Sequence, residues 1–211
     1  MSDAKLRDLE RRWKETGSPD DEAAYLLERV RVGDLSRERL ELAAYGAHRA
    51  AMLALGEKQP NVPTRPDLWL RGLQRWGLRP ALIAVVRAMR EAMPRWNVSR
   101  NDSRPDAVLV AVDAWLSCPC PAHAQECERA GVDAEAAARE AAPDIRVMSI
   151  ADAAGFVGLA TSRSRRDGTL SLSVNDLAMA CKSLVRAGLS PDDLAGAFAC
   201  AVVDFAFALP R

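Results

Sequence analysis

The chain predicts an all-α fold, an irregular bundle of eight to ten helices with a helix-hairpin-like N-terminal unit. Three observations predict it. Apolar residues recur at three- and four-residue spacing through nearly every segment. The start signal Ser-Pro-Asp-Asp occurs twice, at Ser18 and at Ser190, placing a hydroxyl cap, a first-turn proline and two carboxylates where a helix N-terminus favours each. Gly17, Gly33, Gly56 and Gly188 stand where apolar periodicity runs out, as helix stops do. With 211 residues the chain can bury a core without cross-links.

Taken in order, Leu6, Leu9 and Trp13 give a narrow apolar stripe and a short edge helix. A second helix runs from Pro19 to about Val32. Ser36 caps a third, with Leu35 and Leu40 placed as a hydrophobic staple, and its small-residue face continues through RAAMLALG to Gly56. These turns resemble the helix-pair repeats of the tetratricopeptide class, though no fixed period follows. The proline-punctuated stretch 57–66 is the expected boundary between a unit at 1–56 and a main bundle at 66–211.

Beyond it, Trp69, Leu70, Leu73 and Trp76 mark a compact helix, and Pro80 opens a longer one reaching Trp96. Arg104 to Cys127 is the stretch around which the remainder is expected to organise: Pro105 starts a helix whose buried face carries Val108, Leu109, Val112, Trp115 and Leu116. The chain then passes through Cys-Pro-Cys-Pro into an Ala/Glu-rich helix ending before Pro143. Residues 145–161 read as helix, with a short strand followed by helix as the alternative. Residues 162–168, SRSRRDG, read as a basic loop, and Ser173 and Asp176 as caps of the following helix. The last segment, LAGAFACAVVDFAFAL, is apolar nearly all round, which suits a central core helix or one completing a homodimer.

Charge excludes several classes of partner. Acidic and basic residues balance at 29 each, so no long-range field gathers nucleic acid or an anionic membrane. MSDAKLRDLERRW has no apolar signal core, and the longest apolar run, Ala197 to Val203, is too short to span a bilayer. Five cysteines, an odd number, with Cys181 and Cys200 in apolar contexts, suit a reducing compartment better than a disulfide framework. The expected location is the cytoplasm.

The densest chemistry is the turn holding Cys118, Cys120, His123 and Cys127. Thiolate and imidazole are the donors zinc prefers, and His123 and Cys127 at i, i+4 share a nominal helix face. Four ligands within ten residues, two separated by one proline, depart from the common knuckle spacing. The alternatives are a structural zinc site and small buried cysteines at a helix junction. Asp204 is either a buried carboxylate or a solvated edge residue, and the arginines of the 163–166 run either grip phosphate or face solvent. Trp69, Trp76, Trp96 and Trp115 read as core. No glycine-rich phosphate loop, HExxH or nucleophile elbow is present, and His48 has no acidic neighbour in sequence. A catalytic role is not expected.

Three patches carry a resemblance: LRDLERRWKETGSPDDEAAYLLERVRVGDLSRERLELAAYGAH; RWGLRPALIAVVRAM with PDAVLVAVDAWLSCPCPAH; and AGLSPDDLAGAFACAVVDFAFAL. Together they are similar to a loose group of Ala- and Arg-rich helical bacterial proteins, some described as immunity proteins. Members usually continue past the AWL segment in unbroken Ala-rich helices, which Pro143 and SRSRRDG interrupt here. The resemblance implies an all-helical scaffold that binds and neutralises a protein partner. An interaction module of immunity or adaptor type is therefore the leading expectation, with metal or small-molecule binding at the cysteine turn second and hydrolysis third.

Overall fold

Capping chemistry sets the first boundaries. Helix α1 (Ser2–Thr16) is followed by α2 (Pro19–Val32), where the Ser18 hydroxyl accepts from the Asp20 N–H at 3.2 Å. Gly33, at φ 83°, ends α2 by donating to the Val30 carbonyl. Ser36 caps α3 (Arg37–Tyr45), accepting from the Arg39 N–H at 3.2 Å. Ala47 then takes φ 64°, a conformation costing an L-residue about 1–2 kcal/mol, and the chain restarts. His48 Nδ1 accepts from the Ala51 N–H at 3.3 Å and caps α4 (Arg49–Leu55).

The computed structural model describes residues 2–57, 65–166 and 170–208. The fold is all-α: the described residues hold eleven α-helices and one 3-10 turn, and no strand. The expected eight to ten falls short because the left-handed Ala47 divides what the small-residue face presents as one helix.

The chain forms two units, one comprising Met1–Val62 with Ala199–Arg211, the other Pro63–Phe198. The expectation placed all of 66–211 together, whereas the second half of the last helix, α11 (Pro191–Phe207), groups with the N-terminal unit. Most of the expected boundary, residues 58–64, lies outside the described residues.

In the first unit α1 packs on α2, and α4 packs on both α2 and α3. Trp13 and Tyr25 stack with ring centroids 5.4 Å apart, joining α1 to α2. The 199–207 stretch meets the α3–α4 corner closely: a Cβ on Gly46 would lie 2.9 Å from Val203 Cγ2. The same Cβ would lie 3.3 Å from the Ala199 carbonyl oxygen, so a larger residue here would press the two segments apart.

The second unit contains α5 (Pro66–Gly72), the 3-10 turn Leu73–Trp76, α6 (Leu78–Ser99), α7 (Arg104–Ser117), α8 (Pro121–Ala141), α9 (Ile145–Arg166), α10 (Leu170–Arg186) and the first half of α11. Its hub is α9, which packs against α6, α7, α8 and α10. The helix starting at Pro105 is therefore not central. The segment 145–161 is wholly helical, its small residues Ala151, Ala154 and Ala160 fully buried because each lets a neighbouring helix approach. By length and composition Ile145–Arg163 could cross a membrane, but 67% of that window is buried inside the fold.

Two further expectations change. Residues 162–166 are the last turn of α9 rather than a loop, and 167–169 lie outside the described residues. Since α10 begins at Leu170, Ser173 and Asp176 are helix-interior residues and not caps. Asp176, nearly buried, is held by both oxygens to Arg163 Nη1 at 2.8 Å. Trp69, Trp96 and Trp115 are core residues, whereas Trp76 is half-buried beneath the Arg75 guanidinium, 3.6 Å from its ring centroid.

Candidate functional site

Two prolines shape the α7–α8 turn. Pro119 cannot continue α7, and Pro121 occupies the first turn of α8. Between them the Cys120 N–H donates to the Cys118 carbonyl at 2.8 Å, closing a three-residue γ-turn about Pro119 whose fixed φ suits it. Cys120 thus stands at the N-cap of α8 with extended backbone, φ −109° and ψ 166°, and His123 falls in the first helical turn.

This folding brings three of the four candidate ligands together. Cys118 Sγ, Cys120 Sγ and a ring nitrogen of His123 all lie within 4.8 Å of one another, the one such cluster of metal-ligating groups among the described residues. His123 Nδ1–H donates to the Cys118 carbonyl at 2.8 Å, and the same nitrogen is 3.4 Å from Cys120 Sγ. That carbonyl can only accept, so in this arrangement the ring proton sits on Nδ1.

Cys127 does not join them. One helical turn further on, it is fully buried where α8 meets α9. The helices approach so closely that a Cβ on Gly158 would lie 2.5 Å from the Cys127 carbonyl oxygen and 2.8 Å from Gly131 Cα. Burial pushes the Cys127 thiol up to about 12, and a thiol that keeps its proton is a poor ligand. Helical periodicity shows that His123 and Cys127 share a face; it does not show that α9 covers only the second.

Electrostatics divide the two turn cysteines. The backbone N–H of His123, at the start of α8, faces Cys120 and holds its pKa below the ordinary thiol value, helped by a hydrogen bond from Cys118. Cys118 shares that hydrogen bond and is raised in turn. Cys118 is exposed, and Cys120 and His123 are half-buried, so solutes reach all three. A groove of about 620 Å³ runs along the outer face of α8 from Ala122, lined by Glu126, Arg129, Val132 and Asp133.

The other candidates resolve into supporting roles. His48, beyond capping α4, has Nε2 3.6 Å from Glu22 and its ring edge-on to Phe207 at 4.9 Å. Burial, only partly opposed by Glu22, lowers its pKa and favours the neutral ring. Asp204 is exposed on α11, while Leu194, Phe198 and Val202 of that helix are buried. The carboxylate that sequence reasoning missed is Asp176, whose pKa burial raises against the pull of Arg163. Its spacing from Ser173 mimicked a capping pattern and carried no sign of a partner thirteen residues back. No protein-family model, curated protein or solved structure matches the chain.

Proposed function

We propose that the protein binds a thiophilic metal ion, zinc being the reference case, through Cys118, Cys120 and His123. The observation that carries this reading is the convergence of two sulfurs and one imidazole nitrogen within 4.8 Å on a proline-braced turn. Zinc held by three protein donors takes a fourth ligand from solution, which makes this an exchange-competent site rather than a closed structural one. Every donor must be free of its proton. An ion seated against Nδ1 replaces the proton now shared with the Cys118 carbonyl, the ring carrying its proton on Nε2 instead. Affinity therefore rises with pH.

The test is a zinc titration of tag-free reduced protein against a chromophoric chelator. One equivalent is expected. Cys120→Ser and His123→Ala are each expected to abolish stoichiometric binding, and Cys127→Ala to leave it unchanged. Absence of stoichiometric binding, or equal dependence on Cys127, overturns the reading.

A protein-interaction role of immunity or adaptor type is the second reading. Leu172 and Met179, seven residues apart on α10, are 46% and 38% exposed, with Lys182 and Arg186 exposed beside them. Such a face suits a partner with apolar residues edged by carboxylates. A one-to-one partner recovered from the source cell and lost with Met179→Glu supports it; recovery unaffected by that change counts against this face.

A further inference from the structure

We propose that Cys118 and Cys120 form a reversible dithiol–disulfide couple oxidised by a hydroperoxide. This uses the same turn as the metal reading but does not require an ion.

The argument is geometric. The γ-turn closed by the Cys120 N–H on the Cys118 carbonyl at 2.8 Å draws in the two Cα atoms flanking Pro119. In this turn they sit at the short end of what residues two apart can span, within the roughly 4.4–6.8 Å that a disulfide bridges. The two sulfurs already lie within 4.8 Å of each other. Cys118 is exposed and Cys120 half-exposed, so a small oxidant reaches both. Competing thiols are out of play: Cys127 and Cys181 are buried. Cys200 is exposed on a different helix and has no vicinal thiol in sequence.

The chemistry balances without a further reactant. One of the two sulfurs, as thiolate, attacks the terminal peroxide oxygen; an S–O bond forms, the O–O bond breaks, and the alkoxide leaves as the alcohol after taking one proton. The other thiol then attacks the sulfenic sulfur; the S–S bond forms, the S–O bond breaks and water leaves. Two thiols and one hydroperoxide give one disulfide, one alcohol and one water. An exogenous thiol attacking the exposed Cys118 sulfur, followed by a second, restores the dithiol. Because both sulfurs are consumed, the oxidised turn cannot also hold a metal.

The experiment treats chelator-stripped, full-length protein with hydrogen peroxide and maps the peptides. The expected result is loss of two of the three accessible thiols, a Cys118–Cys120 bridged peptide that appears before Cys200 is oxidised, and full recovery with a dithiol reductant. Cys118→Ser is expected to abolish the bridge and leave a trappable sulfenic acid on Cys120, whereas Cys127→Ala retains the bridge. No bridged peptide, or oxidation of Cys118 and Cys120 no faster than Cys200, overturns the proposal. Zinc titration of the same reduced sample keeps the two ideas separate: a bridge without zinc binding sinks only the metal reading, and zinc binding without a bridge sinks only this one.

Discussion

Glu28 shows how a single residue ties pH to stability. Its side chain is 4% exposed, yet it is ionised, with Arg31 Nη2 at 2.5 Å and Lys5 Nζ at 3.1 Å. The Arg31 hydrogen bond, aided by Lys5, lowers its pKa from the ordinary 4.5 to about 2. A carboxyl depressed on folding stabilises fully above its unfolded pKa, and that contribution is lost as pH falls toward the folded value. Glu28→Gln is therefore expected to be less stable than the parent at neutral pH, with the difference shrinking between about pH 4.5 and pH 2. Urea midpoints of both proteins across that range check it; a gap that stays constant or widens on acidification refutes it. Cys127 belongs to the same scale. Cys127→Ala deletes a buried sulfur beside α9 and is expected to cost about 1 kcal/mol, read from the urea midpoint.

Among elements, α8 and α9 come into backbone contact at three glycines. A Cβ on Gly131 would lie 3.1 Å from the Gly155 carbonyl, and one on Gly155 would lie 2.7 Å from Glu135 Cγ. Gly158 faces backbone, which cannot swing aside, so Gly158→Ala must push the helices apart. It is expected to destabilise by about 1–3 kcal/mol or more. Gly196, an exposed residue in α11, meets nothing within 4 Å, and Gly196→Ala is expected to stabilise by about 0.5–1 kcal/mol through lower backbone entropy of the unfolded chain. Thermal or urea denaturation of the pair measures both signs. The opposite order would mean that α8 and α9 are not in backbone contact. Arg104 anchors the same region, bridging Asp102 at 2.6 Å and Glu140 of α8.

For the larger unit as a whole, α9 is the helix against which α6, α7, α8 and α10 all pack. Its residues Ala151, Ala153, Ala154 and Val157 are fully buried. Amides there open only with most of the unit. Hydrogen exchange is therefore expected to be slowest at 151–161 and fastest in α5 and the 3-10 turn. Slower exchange in α7 than in α9 would restore the Pro105 helix to the centre that its aromatic, strongly apolar face suggested. That face is real: Val108 and Val112 are fully buried. What it could not show is how many neighbours α9 acquires, since α9 carries small residues on several sides and no single strong stripe.

Local chemistry was sufficient for what depends on a few consecutive residues. The all-α class, the caps at Ser18 and Ser36, the turn at Cys-Pro-Cys-Pro and the candidacy of Cys118, Cys120 and His123 all follow from periodicity, hydroxyl placement and proline. Contacts between distant segments decided the rest. Packing of α9 on α8 separated Cys127 from the other ligands, Arg163 turned Asp176 from a cap into an ion-pair partner, Glu22 came to His48, and the end of α11 joined the first four helices. A helix repeat specifies which side of a rod is apolar; which rod covers that side depends on shape and distance, settled only when the chain has folded on itself.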